Sequence, residues 1–384
     1  MRNICLLGAS GSIGKQTLDV INKNRDDFNL VSFSVGHQTR KISPIIKRFP
    51  KVKSICVLSK DKCKEYQKKY PHINFYYGDE GLLSLINDEV DMVVNALVGF
   101  VGLKPTLYSL ENNKIVCLAN KEALVVGGEL VNKLLDEGKG TLYPIDSEHS
   151  AIKKCLMVDD KNVDKIVLTA SGGAFRKLQR DELNNVTKED ALKHPNWRMG
   201  DKITIDCATM VNKAFEIIEA HYLFGYPYDK IMVKLHDESY VHSYVIYKDG
   251  MMRLDISKPD MRNPIKLALY EFNTPFKTEV TDSLTRLKKY HFHDFDIIRY
   301  PVVKYAEKVI KNKGGYGAVF NASNEVAVKA FLGGKISFLT IEEIIDKCMS
   351  AYKNQKINNY DELAKIDLDT RELANKLIAD RRKA

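Results

Sequence analysis

The sequence predicts an α/β protein with three parts: a helix-covered parallel sheet, a central α+β region on a mixed or antiparallel sheet, and a small C-terminal helical bundle. Three observations carry this. Through the first 145 residues, short runs that are apolar on both faces alternate with helical patterns, the signature of buried parallel strands. From "DKIVLTASGGAF" onward the strands lengthen and partly alternate, and "SYVIYKDGMMRLDIS" contains a "KDG" turn, as hairpins do. After "RYPVVKYAEKVIKNKGG" the apolar spacing is helical to the end. The expected divisions are therefore 1–145, 146–275, a polar, aromatic linker without periodicity over 276–300, and 301–384.

In order along the chain, "NICLLG" is a strand, "SIGKQTLDVINKN" a helix and "FNLVSFSVG" a strand, and "SICVLS", "VDMVVNALVG" and "KIVCLAN" continue the series. "YPIDSEHSA" follows. Asp146 and Glu148 stand two apart, too close to share a helix face, but an extended segment would point both the same way. By residues alone they fit a metal site, an acid/base pair or two solvated charges at a turn. In the central region "DKITIDCA" and "IMVKLHD" read as strands and "MVNKAFEIIEA" as a helix.

Composition narrows the function. With 44% hydrophobic and 28% charged residues and no apolar run near the roughly 20 residues a span needs, no membrane segment is expected. The net charge of +9 comes from dispersed lysines, as in "DKCKEYQKKY", where acids alternate with bases; this suits phosphorylated small molecules and argues against nucleic acid. Seven scattered cysteines without a CxxC pair point to reduced thiols and away from zinc. No secretory signal precedes the first strand, so a cytoplasmic protein is expected, although a processed plastid-type protein would read the same.

"LLGASGSIGKQT" sets Gly8, Gly11 and Gly14 between strand and helix, where backbone amides and a helix N-terminus can meet an anion. A phosphate-binding P-loop is excluded: Ala9 takes the place of its first glycine and Gln16 that of the hydroxyl that would hold Mg²⁺. A Rossmann-like dinucleotide site remains. Its second strand usually ends in an acid that holds the ribose, but "SFSVGHQTRK" offers Gly36, His37, Gln38, Arg40 and Lys41, which suit the 2′-phosphate of NADP; a solvated basic loop is the alternative. "CLANKEALVVGGE" places Asn120, Lys121 and Glu122 at the same sheet edge, where Lys121 is either an oxyanion contact or a solvated surface cation.

Several stretches together resemble one family. "GASGSIG", "LANKEALV", "PIDSEHSAI", "TASGGAF", "HPNWRMGDKITIDCATMVNKAFEIIEA", "HSYV" and "PDMRNPI" are similar, in family order, to 1-deoxy-D-xylulose 5-phosphate reductoisomerase, and "RYPVVKYA" and "NASNEVAVKAFL" extend the match to about residue 332. The resemblance implies NADPH, Mg²⁺ or Mn²⁺, a sugar phosphate substrate and a homodimer. It also implies a skeletal rearrangement to a branched aldehyde that is then reduced, in non-mevalonate isoprenoid synthesis. Chelating a hydroxyketone needs a Lewis acid, and three carboxylates suit these metals. Carried over, the metal ligands are Asp146, Glu148 and Glu216, although Glu219 would have been an equal choice from the residues alone. Lys121 and Ser147 map to substrate oxygens at the metal end, and Ser171, His194, Cys207, Asn212 and Lys213 to the phosphate, with the last two opening a helix after a strand. Cofactor contacts map to Ser10, Gly11, Ser12, Ile13, Gly36, His37, Gln38, Asn120, Glu122 and Gly200. Trp197, the single tryptophan, follows an irregular stretch from Arg176 to Lys193 and reads as part of a lid over the substrate. His242 is either an orienting residue or a satisfied core histidine. An ordinary NADP-dependent dehydrogenase would not need the metal carboxylates or the lid, and an NADP sensor would not need Asp146, Glu148, Glu216 and Lys121 together.

The chain departs from the family pattern at Ser10, where Thr is common, at "GHQT", at Asp237, where Pro is usual, and at Cys207, where Ser is usual. A thiol is the weaker donor. Cys207→Ser is expected to tighten the phosphate end by about 0.5–1.5 kcal/mol, read as a lower KM for the sugar phosphate; an unchanged KM would overturn this.

Overall fold

Seven short runs pair in parallel in the first sheet of the computed structural model, which describes residues 1–273 and 289–381. They are β1 (Arg2–Leu7), β2 (Phe28–Val35), β3 (Ser54–Val57), β4 (Asn74–Tyr77), β5 (Met92–Asn95), β6 (Ile115–Leu118) and β7 (Thr141–Pro144), in the order β4-β3-β2-β1-β5-β6-β7. The sequence did not suggest β4 or β7. Both are four-residue edge strands with a single buried residue each, Phe75 and Pro144, so they lack the doubly apolar pattern of the inner strands. The chain leaves β1 toward β2 on one side and reaches β5 on the other, which opens a crevice at the carboxyl ends of β1 and β5.

This sheet and its helices form one compact unit, residues 1–146 with 261–268 and 357–363. Asp19 ties the returning segment to it, pairing with Arg262 at 2.8 Å and Arg48 at 3.1 Å.

The second unit comprises residues 147–260, 269–356 and 364–384. Its sheet runs β11-β10-β8-β9-β12, with β8 (Val163–Ala170), β9 (Ile231–His236), β10 (Val241–Tyr247), β11 (Met252–Ile256) and β12 (Phe292–Asp294). Only β8 and β9 pair in parallel. Of the expected 276–300 linker, 276–288 lies outside the described residues, and within the rest β12 pairs antiparallel with β9. The helices Lys304–Asn312, Tyr316–Leu332 and Phe338–Ala351 pack in the same unit, with Phe215 edge-on to Phe320 and Phe175 edge-on to Phe338.

Two local expectations are corrected. "DKITIDCA" is not a strand but lies in the helix Asp201–Thr209; its β-branched residues suggested β structure, yet Thr204, Ile205, Ala208 and Thr209 bury one helical face. "YPIDSEHSA" is not extended throughout, because the helix Ser147–Leu156 begins directly after Asp146 and carries Glu148 in its first turn. The alternation argument for that pair therefore fails.

The glycine loop is set by close packing. Gly8 has φ +86°, and a Cβ there would meet the Ala96 carbonyl oxygen at 2.5 Å. A Cβ on Gly14 would lie 2.2 Å from the Gly8 carbonyl oxygen, backbone that cannot swing away. Gly14→Ala is expected to cost about 1–3 kcal/mol, seen as a lower urea midpoint at unchanged slope; an unchanged midpoint would show that the loop yields freely.

Candidate active site

At the carboxyl edge of the first sheet, the loop after β1 carries Ser10, and Gly11 caps the helix Ser12–Lys23 that continues through Ile13. The Gly8 N–H donates to Ser34 Oγ and the Ala9 N–H to the Ser34 carbonyl, so this loop is held against the end of β2, where Gly36, His37 and Gln38 are exposed. After β6, the buried Asn120 caps the helix Lys121–Asp136 by accepting from the Ala123 N–H. Its Nδ2 donates to the carbonyls of Leu97 and Gly99 and to Glu122 Oε2. A Cβ on Gly102 would strike that amide at 2.3 Å. The Asn120 side chain is thus committed within the protein. Lys121 is buried, and its ammonium pairs with Asp146.

In the second unit, the buried Lys213 ammonium gathers the carboxylates. It meets Glu148 Oε1 at 3.3 Å, pairs with Glu216 Oε2, and donates to the Thr169 carbonyl at the end of β8. Ser147 Oγ donates to Glu148 Oε2 at 2.7 Å and Asn212 Nδ2 to Glu216 Oε1 at 2.6 Å. Asn212 and Lys213 do open a helix, Val211–Phe224, but it follows another helix through Met210, whose φ is +65°, rather than a strand. Glu216 and Glu219 have different surroundings, and Glu219 with Asp146 and His149 brings three ligand atoms within 4.8 Å of one another. Glu219 is fully buried with its Oε2 3.3 Å from His149 Nδ1, whereas Glu216 faces Asn212 and Lys213.

Two residues beyond Thr169, the "ASGG" turn presses on the helix Asp201–Thr209. Gly173 has φ +69°, and a Cβ on it would lie 2.6 Å from the Cys207 carbonyl oxygen. Ser171 Oγ lies 3.0 Å from His194 Nε2 and accepts from the Gly173 N–H at 3.2 Å. His194 Nδ1 faces the N–H groups of Asn196 and Trp197 at 3.2 and 3.0 Å. Gly200 caps the helix that carries Cys207. Trp197 meets the buried His242 with ring centroids 6.2 Å apart. The stretch from Arg176 to Lys193 is more ordered than expected: Asp181–Asn185 forms a 3-10 turn, and the short helix Lys188–Ala191 is capped reciprocally by Thr187 and Asp190.

Sequence reasoning missed the residues that hold this turn. Asn196 Nδ2 donates to the Asp237 carbonyl at 2.8 Å and to Ser239 Oγ at 2.7 Å, and Arg176 Nη1 donates to the Asp237 carbonyl at 2.9 Å and the Ser171 carbonyl at 3.3 Å. It also missed Thr169 and the His149–Glu219 pair. Nothing in the local pattern marks a carbonyl acceptor, and His149 and Glu219 sit on helices whose buried faces also carry ordinary core residues.

Comparison with known proteins covers almost the whole chain. Family models match residues 4–128 (1-deoxy-D-xylulose 5-phosphate reductoisomerase), 142–224 (its C-terminal domain) and 256–373 (DXP reductoisomerase C-terminal domain). A relative of that name from Bacillus subtilis is 45% identical over 383 residues, spanning 98% of this chain and 100% of its own. A second, from Bacillus cereus, is 44% identical over 97% of this chain and 98% of its own. Among solved structures, the Zymomonas mobilis reductoisomerase with NADPH superposes with a TM-score of 0.89 at 35% identity, covering 98% of this chain and 99% of that one. A DOX-P reductoisomerase with NADPH, fosmidomycin and magnesium reaches 0.92 at 32% identity, covering both chains fully.

The environment of His194 has a measurable consequence. Burial, reinforced by the nearby Arg176 charge, lowers its pKa from the ordinary 6.5 to about 4. Between those values the unfolded chain binds a proton that the folded protein does not, so this contribution is complete above pH 6.5 and shrinks as pH falls toward 4. His194→Gln is expected to flatten the pH dependence of unfolding free energy across that window; an identical slope in both proteins would overturn it.

Proposed function

The chain belongs to the 1-deoxy-D-xylulose 5-phosphate reductoisomerase family, and from that premise we propose how its own residues carry the reaction. It is an NADPH- and divalent-metal-dependent enzyme that isomerises and reduces 1-deoxy-D-xylulose 5-phosphate to 2-C-methyl-D-erythritol 4-phosphate in isoprenoid biosynthesis. The observation that carries the residue assignment is the buried cluster of Glu148 and Glu216 around Lys213.

We assign Asp146, Glu148 and Glu216 as ligands of Mg²⁺ or Mn²⁺. The all-oxygen donor set fits these hard cations, and each carboxylate already pairs with an ammonium, so the site is built to hold negative charge against positive. The metal supplies a Lewis acid for two neighbouring substrate oxygens. Lys121 then holds its cation beside the substrate oxygens and stabilises negative charge developing there. Ser147, by donating to Glu148, fixes one carboxylate while contacting substrate. Lys213 and Asn212 steady Glu216 and, with Ser171, His194 and Cys207, form the phosphate end. Trp197 closes over the substrate and excludes water.

NADPH supplies the hydride. The cradle that fits it is the tightly packed glycine loop at the head of the Ser12–Lys23 helix, where Ser10, Gly11, Ser12 and Ile13 offer main-chain donors to a pyrophosphate. Gly36, His37 and Gln38 receive the 2′-phosphate, since β2 ends without an acid. Asn120 takes part through its main chain, because its amide is committed to Leu97, Gly99 and Glu122. Glu122 and Gly200 complete the contacts.

A homodimer in the cytoplasm completes the reading. Edge strand β11 supports the dimer: Met252, Leu254 and Ile256 alternate along it, all exposed, and such an edge pairs readily with a second copy. Seven free cysteines suit a reducing compartment. Among the described residues no helix is long and apolar enough to cross a membrane.

NADPH oxidation is expected with 1-deoxy-D-xylulose 5-phosphate and Mg²⁺ or Mn²⁺, and none once the metal is chelated; metal-independent turnover would sink the assignment. Lys121→Met is expected to lower kcat by about 10²–10³ while leaving the KM for NADPH within a few-fold; a normal kcat would remove Lys121 from the chemistry.

A further inference from the structure

The hydrogen bonds around His194 have a single direction. Its Nδ1 faces two main-chain N–H groups, those of Asn196 and Trp197. Main-chain N–H groups can only donate, so Nδ1 must accept and carries no proton. In the neutral ring the proton then sits on Nε2, which donates to Ser171 Oγ at 3.0 Å. The Gly173 N–H donates to the same oxygen at 3.2 Å. A hydroxyl accepts through two lone pairs. With both engaged, what Ser171 has left to offer is its own proton.

We propose that His194 is a positioning residue: as a neutral Nε2–H donor, with its tautomer fixed by the lid turn at Asn196 and Trp197, it aims the Ser171 hydroxyl as a donor at the substrate phosphate. This rests on the reading of Ser171 as part of the phosphate end. Positive charge at the subsite comes from Lys213 and from Arg176, whose Nη1 donates to the Ser171 and Asp237 carbonyls, and no imidazolium is required. A protonated ring would bring an N–H against two N–H groups. A ring with its proton on Nδ1 would do the same, and would also release one lone pair of Ser171. The lid turn and the anion site are therefore coupled. Asn196, pinned to Asp237 and Ser239, keeps the two N–H groups on Nδ1, and opening that turn frees the tautomer and with it the hydroxyl.

The decisive measurement is nitrogen NMR of the full chain labelled in histidine, with the His194 signals assigned by their loss in His194→Gln. At pH 7 without substrate, the expected spectrum shows a protonated Nε2 and a bare Nδ1, unchanged to pH 5. A proton on Nδ1, or an imidazolium at pH 7, overturns the proposal. Inorganic phosphate then serves as the probe of the subsite. His194→Phe keeps a ring but no donor, and is expected to weaken phosphate inhibition and raise the sugar-phosphate KM by about tenfold, as for one hydrogen bond to a charged group. His194→Gln, which can place a donor near the Nε2 position, is expected to recover most of that loss. Combining His194→Phe with Ser171→Ala should cost no more than Ser171→Ala alone; additive losses would overturn the coupling. Phosphate inhibition is read from binding as well as from turnover. A chain that binds phosphate with this coupling but does not turn over the sugar phosphate would refute the functional reading and leave this one standing.

Discussion

The second unit is organised around one buried ammonium. Lys213 has three protons and almost no exposure, so each proton needs an acceptor that the fold must deliver. The acceptors come from three elements: Glu148 from the helix Ser147–Leu156, Glu216 from the helix Val211–Phe224, and the Thr169 carbonyl from β8. Two helices and a strand end are thereby fixed at one point. Buried ion pairs of this kind are weak sources of net stability, because desolvation offsets much of the attraction. Their effect is positional. The carboxylates cannot turn toward solvent without leaving the lysine uncompensated, and Ser147 and Asn212 hold their remaining oxygens.

The same point extends past the end of β8 to the "ASGG" turn. Ser171 lies two residues past Thr169, and the glycines after it let the turn lie directly on the helix of Cys207. The carboxylate cluster and the Ser171 turn thus meet at a single strand terminus.

Much of this was legible in the sequence. Doubly apolar runs marked the inner parallel strands, glycine spacing marked the loop after β1, and the motif "HPNWRMG" with its following helix marked the family. What was not legible fails for physical reasons. β4 and β7 are short edges with a half-apolar pattern. Thr204 and Ile205 have strand propensity, but burial of the 204–205–208–209 face decides for a helix. Asp146 and Glu148 looked like one face of an extended segment, when a helix start falls between them. Glu216 and Glu219 sit one turn apart on the same helix, and their different partners, Asn212 and Lys213 for one and His149 for the other, come from packing that the local pattern does not carry. Local sequence carries propensity, whereas these outcomes depend on partners distant along the chain.

Asp237 had no reading in the sequence beyond being a departure from the family pattern. Its carboxylate lies 3.5 Å from His293 Nε2, while its main-chain oxygen receives Arg176 and Asn196. Every amino acid owns that oxygen, proline included. The hold on the turn at Asn196 therefore does not depend on the side chain, so a profile of residue identities would record tolerance at a place where geometry permits very little. Positions of this sort invite engineering: new chemistry can be installed on the side chain, provided that the replacement keeps the backbone where the arginine and asparagine expect it.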